Sequence, residues 1–395
     1  MTNWKEYKLS DLMQIKYGKD HKHLADGPFP LYGSGGIMRY VEKPLYSEAS
    51  ILIPRKGTLS NLFYLDKPFW SVDTMFYSII NKQLALPKYL YYTLKTFDLA
   101  SLNVGSAVPS LTTEVLNDVL VSVPNINTQT AIAEILSSLD DKIELNNKIN
   151  QELENLAQTL FKQWFIDFEF PKENGEPYKS SGGEMVDSEL GEIPKGWVVG
   201  ILDDILEVKG GTTPSTKEAS FWDGDFHWTS PRDLSNLQFP LLINTDKKIT
   251  AKGLNKISSG LLPKGTLLLS SRAPIGYLAI TEIETAINQG YIAINAKKGF
   301  SNLYLLYWIK SNMDLIIERA NGSTFLEISK TNFKQINCLI PSFDILNEYV
   351  NQIETLFEQL RINLLENQEL TNLRDTLLPK LISGELEVNG LNLDL

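Results

Sequence analysis

The sequence predicts a mixed α/β (α+β) protein in which one unit, a compact body followed by a long helix, occurs twice. Short strand-like segments broken by Gly, Ser, Asn and Pro loops fill residues 1–124 and 197–341. Two stretches of roughly 40 residues carry apolar side chains at spacings of three and four, the period of an α-helix. These two helical stretches also match each other in sequence.

The repeat is clearest in the helices. Residues 146–160 and 363–377 are related by an offset of 217 and are identical at nine of fifteen positions. Near the start of each body, Trp4 and Gly18 match Trp197 and Gly211 at an offset of 193, so the second copy has 24 extra residues. The unit is therefore a variable body followed by a better matched helix.

The order of these segments predicts five regions. Body one, residues 1–124, contains strand candidates such as SILIP and MFYSII, and body two, residues 197–341, contains GTLLLS and GYIAIN. Helix one occupies residues 125–170, and helix two with the C-terminal tail occupies residues 342–388. Residues 171–196 between them are rich in Gly, Ser, Pro and charge, and are predicted to be a linker that is flexible in part.

The helices are predicted to pair. Apolar residues recur from Thr128 to about Phe168 and from Asp344 to Leu378, where Pro379 is expected to end the second helix. If the apolar stripes bury each other, the helices form an antiparallel coiled coil with an approximate internal twofold symmetry. The predicted seam, in which Asn146 faces Asn367 and Asn150 faces Asn363, consists of Asn146, Asn150, Leu153, Leu156, Leu160, Asn363, Asn367, Leu370, Leu373 and Leu377.

Composition excludes several classes. The single cysteine, Cys338, cannot form an internal disulfide or a thiolate zinc cluster, and it is predicted to be a buried strand residue. No segment approaches the roughly 20 apolar residues that span a bilayer, and the N-terminus lacks a signal-peptide core. We therefore expect a reduced, cytoplasmic setting. His21 and His23 form an H-x-H pair without further ligands nearby, so no metal site is expected.

The net charge of −11 is unevenly distributed. Residues 1–124 carry +2 and residues 197–341 also carry +2, whereas residues 125–170, 171–196 and 342–395 carry −5, −3 and −7. Acidic helix faces are commonly solvated surface. Two mildly basic bodies joined by acidic helices are also compatible with phosphate-binding heads on a spacer that contacts protein.

Three motifs carry a family resemblance. These are SELGEIPKGW at residues 188–197, the pattern W-x4-L-x-D-L/I at residues 4–12 and 197–205, and RDTLLPKLISGELEV at residues 374–388. Together with the duplicated plan, they resemble the specificity subunit of Type I restriction-modification enzymes. The resemblance implies that each body is a target recognition domain that reads one half of a split site in double-stranded DNA. It also implies that the helices set the spacer and dock two methyltransferase subunits, to which restriction subunits can be added.

DNA-contacting residues are predicted from side-chain chemistry, because Arg, Lys, amides and hydroxyls on exposed loops read base edges and phosphates. Arg55 and Arg272 rank first, since each follows an apolar strand at a similar place in the repeat. The other candidates are Lys19, His21, Lys22, Tyr32, Ser34, Arg39, Lys56, Thr58, Asn61, Lys209, Thr212, Thr213, Ser215, Lys217, Thr229, Ser230, Arg232 and Ser271. Trp70, Trp164 and Trp308 lie in apolar runs and are predicted to be core residues.

No catalytic residue is predicted. The chain lacks the P-loop pattern G-x-x-x-x-G-K-[ST] and the Asn-Pro-Pro-aromatic tetrapeptide of amino-methyltransferases. No cofactor is expected in this chain, and the family resemblance assigns S-adenosylmethionine, ATP and Mg²⁺ to partner subunits. The alternative is a structural coiled-coil adaptor with two protein-binding heads and no sequence-specific DNA readout.

Overall fold

The computed structural model describes residues 4–105, 109–322 and 326–388. The chain divides into two compact units. Unit 1 comprises residues 1–144 and 367–395, and unit 2 comprises residues 145–366. Each unit therefore contains one body together with part of both long helices.

The described residues form the following elements in chain order. The strands are β1 (Lys5–Lys8), β2 (Met13–Tyr17), β3 (Phe29–Gly33), β4 (Gly36–Val41), β5 (Ser50–Pro54), β6 (Phe63–Leu65), β7 (Trp70–Ser71), β8 (Met75–Ile80), β9 (Leu120–Val123), β10 (Met185–Ser188), β11 (Gly191–Pro194), β12 (Val198–Ile201), β13 (Leu206–Gly210), β14 (Trp222–Thr229), β15 (Leu241–Leu242), β16 (Lys247–Ile249), β17 (Leu267–Ser271), β18 (Ile275–Thr281), β19 (Thr285–Ile287), β20 (Tyr291–Ala296) and β21 (Asn337–Ile340). The helices are α1 (Leu9–Leu12), α2 (Pro87–Lys95), α3 (Thr113–Asn117), α4 (Ile126–Phe165), α5 (Leu202–Ile205), α6 (Pro231–Ser235), α7 (Ala251–Leu254), α8 (Asn302–Ser311), α9 (Met313–Glu318), α10 (Lys330–Lys334) and α11 (Phe343–Ser383), with a 3-10 turn at Ala219–Phe221.

The two bodies share one sheet plan. In body one, an antiparallel sheet has the order β2-β8-β5-β6 and a second sheet has the order β4-β3-β7. In body two, the corresponding orders are β13-β20-β17-β18-β15 and β16-β14-β19. In both small sheets the first pair is antiparallel and the second is parallel. The predicted repeat is thus also a repeat of topology.

The extra length of body two lies largely at one connection. Only Ser34 and Gly35 separate β3 from β4, whereas residues 230–246 separate β14 from β16 and contain α6 and β15. Strands β5 and β17, which occupy the same place in the two sheets, are buried along their whole length because both of their faces are covered. The insertion therefore changes a loop and leaves the core strands in place.

The long helices form over nearly the predicted ranges, with one correction. Helix α11 does not end at Pro379 but continues to Ser383. A proline inside a helix removes one backbone hydrogen bond. Here Leu378 and Leu381 on either side of it are buried in the core of unit 1, and this packing holds the last turn in helical form.

The segment between helix one and body two, predicted to be a linker that is flexible in part, contains regular secondary structure. Strands β10 and β11 form an antiparallel hairpin. The Phe170 ring stacks on Tyr178 at 4.5 Å and on Trp197 at 5.4 Å between ring centroids. The Tyr178 hydroxyl donates to the backbone oxygen of Glu184 at 2.7 Å. Tyr178 within the segment, together with Phe170 and Trp197 at its two ends, supplies the ring contacts that order it.

In unit 1, the body is held to the helices by a carboxylate. Asp140 of α4 accepts a hydrogen bond from the Tyr92 hydroxyl of α2 at 2.6 Å and pairs with Arg374 of α11 at 2.6 Å. Burial and the neighbouring Asp140 raise the pKa of Tyr92, so its hydroxyl remains protonated and donates. The three elements around Asp140 are therefore joined by charge-assisted hydrogen bonds.

In unit 2, the corresponding carboxylate is Glu154 of α4, whose side chain is 7% exposed. It is ion-paired with Lys310 of α8 and accepts a hydrogen bond from Tyr307 at 3.1 Å. The rest of this interface is aromatic, because Phe165 of α4 packs edge-on against Tyr304 and Tyr349 with ring centroids about 5 Å apart. At this interface a buried carboxylate paired with a lysine joins body two to α4 within an apolar surround.

The seam prediction is confirmed in part. Within unit 2, Asn363 donates to Asn150 across the helices at 2.8 Å, as an antiparallel pairing requires. Asn146 donates to Glu366 at 2.7 Å. The expected Asn146–Asn367 pair involves both units and stays a prediction.

The six leucines of the predicted seam fall into an exposed group and a half-buried group. Leu156 and Leu373 are wrong as seam residues, since 46% and 47% of their surface is exposed. Each of these two leucines lies one residue away in the sequence from a side chain that is buried or half-buried. The other leucines of the predicted seam are half-buried, namely Leu153, Leu160, Leu370 and Leu377.

We expect Glu154→Ala to lower the free energy of unfolding of unit 2 by about 3 kcal/mol, because it leaves the partly buried Lys310 ammonium without its carboxylate partner. The measurement is urea unfolding of the full chain followed by tryptophan fluorescence, since five of the seven tryptophans lie in unit 2. Gln158→Ala is the control, because exposed Gln158 donates to the same carboxylate at 2.8 Å without carrying charge. Equal, small effects of both variants would contradict the anchoring role.

Candidate nucleic-acid interface

In body one, three predicted loops are joined by hydrogen bonds. The Arg39 guanidinium on β4 pairs with Asp26 at 2.9 Å and donates to the backbone oxygens of His21 and Leu24 at 2.8 and 3.0 Å. The Asn61 amide donates to the backbone oxygen of Ser34 at 3.0 Å. Residues 19–24, the β3–β4 turn and residues 55–61 therefore form one connected surface, and Arg39 holds it together.

Arg55 leaves β5 at this same surface. Its guanidinium carbon lies 5.2 Å from the centroid of the Tyr17 ring, and Nη1 donates to the backbone oxygen of Asp73 at 3.3 Å. The pairing with the Tyr17 ring orients the guanidinium without neutralising it. Within residues 55–61, Lys56 adds a second cation and no carboxylate is present. This segment can therefore face a phosphate or a base edge.

In body two, the loop that follows β13 is also anchored. The Thr212 hydroxyl donates to the backbone oxygen of Lys256 at 2.8 Å and accepts from the Ser258 amide at 3.1 Å. The Thr213 hydroxyl donates to Gln289 at 2.7 Å. The loop is rigid near Thr212, and its exposed cation, Lys217, lies further along the chain.

Arg272 follows β17 as Arg55 follows β5, so the two arginines occupy equivalent ends of equivalent strands. Its Nη1 lies 3.7 Å from a carboxylate oxygen of Glu327, and the backbones of these two residues form an isolated bridge. Arg272 is half-buried and Glu327 is exposed, so the Coulomb energy of this pair is small and a phosphate or guanine can displace the carboxylate.

The structure removes two residues from the candidate set. Thr229 is fully buried, with its hydroxyl 3.4 Å from that of Tyr291, and Ser271 is 3% exposed at the end of β17. Both were predicted from their hydroxyl groups alone, and residue type does not show which face of a strand carries the side chain. The half-buried candidates are His21, Tyr32, Ser34, Arg39, Arg55, Thr212, Ser230 and Arg272, and the exposed ones are Lys19, Lys22, Lys56, Thr58, Asn61, Lys209, Thr213, Ser215, Lys217 and Arg232.

The surroundings of Ser230 and Tyr32 also bear on their roles. Ser230 caps α6, where its amide and hydroxyl both donate to Asp233 at 2.8 and 3.1 Å. Burial, with a contribution from Tyr40, raises the pKa of the Tyr32 phenol, which therefore stays a neutral donor at pH 7. His227 of β14, in body two, has a lowered pKa because of burial and the charge of Lys248, so it is neutral at pH 7.

Sequence reasoning missed the outer strands of the small sheets. Strand β4 exposes Ile37, Met38 and Tyr40, and strand β16 exposes Lys247 and Lys248. The GIMRYV run of β4 has the composition of a buried strand, and only its position at the edge of the sheet shows that it faces solvent. The predictions for Trp70, Trp164, Trp308 and Cys338 are confirmed, since each is at most 5% exposed.

Among residues 4–105, 109–322 and 326–388, no group of three or more His, Cys, Asp or Glu side chains is arranged to hold a metal ion. Across the same ranges, every helix is too short or too polar to cross a lipid bilayer.

A duplicated body with matching sheets, and a pair of antiparallel helices in each unit, define a class of two-headed recognition proteins. The chain belongs to the family of the Type I restriction modification DNA specificity domain, whose model matches residues 1–155 and 194–372. Together these two matches cover well over half of the chain.

Curated relatives agree with this assignment. The HindI specificity subunit of Haemophilus influenzae is 26% identical over 98% of this chain and 100% of its own length. The MjaIX specificity subunit of Methanocaldococcus jannaschii is 35% identical over 47% of this chain and 46% of its own length. The crystal structure of a Type I S subunit from M. genitalium has a TM-score of 0.62 at 19% identity, with 96% of each chain covered, which supports the fold.

Proposed function

We propose that this chain is the DNA specificity subunit of a Type I restriction-modification complex, in which each body reads one half of a bipartite site. The observation that carries the proposal is that equivalent strand ends in two bodies of matching sheet topology each present an arginine, within loops of otherwise different sequence. Arg55 and Lys56 follow β5, whereas Arg272 follows β17 within a loop of different sequence. A common scaffold with different loops suits the reading of two different half-sites.

The two long helices have a proposed role other than reading DNA. In this proposal α4 and α11 set the separation of the half-sites and dock two methyltransferase subunits, to which restriction subunits can be added. Their regions have net charges of −5 and −7, whereas each body is +2, which favours contact of the helices with protein over contact with phosphate. The chain itself performs no catalysis, and S-adenosylmethionine, ATP and Mg²⁺ belong to the partner subunits. The complex works on DNA in the cytoplasm.

We expect that replacing residues 1–124 with the first body of another family member changes only one half of the methylated sequence, because each body has its own core. The exchanged chain is co-expressed with the methyltransferase subunits of its host, and methylated bases are read by sequencing. A parallel exchange of residues 197–341 is the matched control and should change the other half alone. If either exchange alters both halves, or neither, the proposal is wrong.

We expect Arg55→Ala and Arg272→Ala each to weaken binding of one half-site by about 1–3 kcal/mol, the range for loss of a bidentate contact between arginine and guanine. Binding of the assembled complex to its site is measured by fluorescence anisotropy at fixed salt. Lys88→Ala, which removes a half-buried cation of α2 that lies 3.9 Å from Asp141 and outside the candidate loops, is the control and should leave both half-sites unaffected. A uniform loss on all DNA sequences would assign the arginines to phosphate contact instead.

A further inference from the structure

The most unusual surface of unit 1 is the outer strand of its small sheet. Ile37, Met38 and Tyr40 of β4 are 50%, 59% and 52% exposed. Large apolar side chains side by side on a strand edge promote aggregation, and proteins normally place charges there. Three exposed large side chains of this kind on one short edge strand therefore indicate an interaction site.

The backbone of β4 creates this exposure. Leu31 of β3 pairs with Arg39 and Tyr32 pairs with Ile37, so Met38 is an extra residue in β4 and forms a bulge. Such bulges redirect side chains and are common beside functional sites. The Met38 sulfur passes so close to Gly33 that a Cβ on Gly33 would lie 2.7 Å from it. Glycine at this position thus makes room for the redirected side chain.

Body two shows that the exposed residues are not required by the fold. The equivalent outer strand, β16, exposes Lys247 and Lys248 and buries only Ile249. Its connection to β14 is also longer and includes α6. The same place on the scaffold is therefore apolar in one body and cationic in the other, as expected of a position that meets different ligand surfaces.

The residues around the exposed side chains of β4 indicate that DNA is the ligand of this surface. The Asn61–Ser34 hydrogen bond ties the β3–β4 turn to the segment that carries Arg55 and Lys56. Arg39, between the exposed apolar residues, is held by Asp26 and two backbone oxygens, and so it shapes the hairpin. A two-stranded antiparallel ribbon fits the major groove, where the apolar feature of the base pairs is the thymine 5-methyl group.

We propose that the β3–β4 hairpin enters the major groove of the half-site read by body one, and that Ile37 and Met38 contact thymine 5-methyl groups there. This inference rests on the proposed function. The adjacent cations Arg55 and Lys56 bind the flanking backbone or base edges. Body two uses Lys247 and Lys248 at the same scaffold position for contact with phosphate or acceptor atoms.

The test replaces each thymine of that half-site in turn with deoxyuridine, which lacks only the methyl group. The full chain, assembled with its methyltransferase subunits, should bind DNA with at least one such replacement about three- to tenfold more weakly, because burial of one methyl is lost. In Ile37→Ala or Met38→Ala, affinity for thymine DNA should fall by a similar factor. In the variant that lacks the residue contacting the methyl group, replacing that thymine with deoxyuridine should cause no further loss of affinity.

Leu120→Ala is the matched control, because Leu120 is likewise exposed, at 53%, on a strand of the same unit. It should leave affinity and the deoxyuridine response unchanged. The inference is overturned if every deoxyuridine replacement is neutral, if the half-site contains no A·T pair, or if Ile37→Ala and Met38→Ala impair methyltransferase assembly and not DNA binding. If exchange of residues 1–124 leaves both half-sites unchanged, the proposed function itself has failed.

Discussion

The structure depends on how each body is fixed to its helix pair. In each unit a carboxylate on α4 accepts a hydrogen bond from a tyrosine of the body and pairs with a cation, Arg374 in unit 1 and Lys310 in unit 2. A buried charge without its partner is costly, so the body and the helices cannot separate or rotate without losing several interactions together. Loops that read DNA need such a support, because hydrogen bonds to base edges require fixed geometry.

A second carboxylate adds to this support in unit 2. Burial alone would raise the pKa of Glu282, but hydrogen bonds and charge from Arg361 of α11 and from Lys264 hold the pKa below its usual range. The carboxylate is therefore ionised at neutral pH, and its folded-state stabilisation is lost only as pH falls through this lowered pKa. Body two is attached to both helices by charge, each time at a partly or fully buried position.

The two copies reach the same geometry with different residues. The offset of 217 pairs Glu154 with Thr371, so the anchoring acid has no counterpart at the matching position. In unit 1 the acid instead comes from Asp140, on the helix that follows the body. The outer strands of the small sheets differ in the same manner, apolar in β4 and cationic in β16. Topology and anchoring are repeated, whereas the exposed surface that would meet DNA is not.

The sequence predicted the features that repeat and missed those that depend on position in space. Periodicity and internal matching predicted both long helices, the two bodies and the equivalence of Arg55 and Arg272. They could not show that burial of Leu378 and Leu381 would carry α11 through Pro379. They also could not show that Thr229 and Ser271 point inward, or that the apolar run of β4 lies on an edge, because these facts depend on tertiary packing.

The most direct test of the central claim is the pattern of methylation that the wild-type chain imposes. The chain is co-expressed with the methyltransferase subunits of its host in cells without other modification systems, and methylated bases are mapped across the genome. Two recognition bodies joined by long helices, as proposed, predict a motif of two specified segments separated by a run of unspecified bases of constant length. A continuous motif, a spacer of variable length, or methylation that persists without this chain would contradict it.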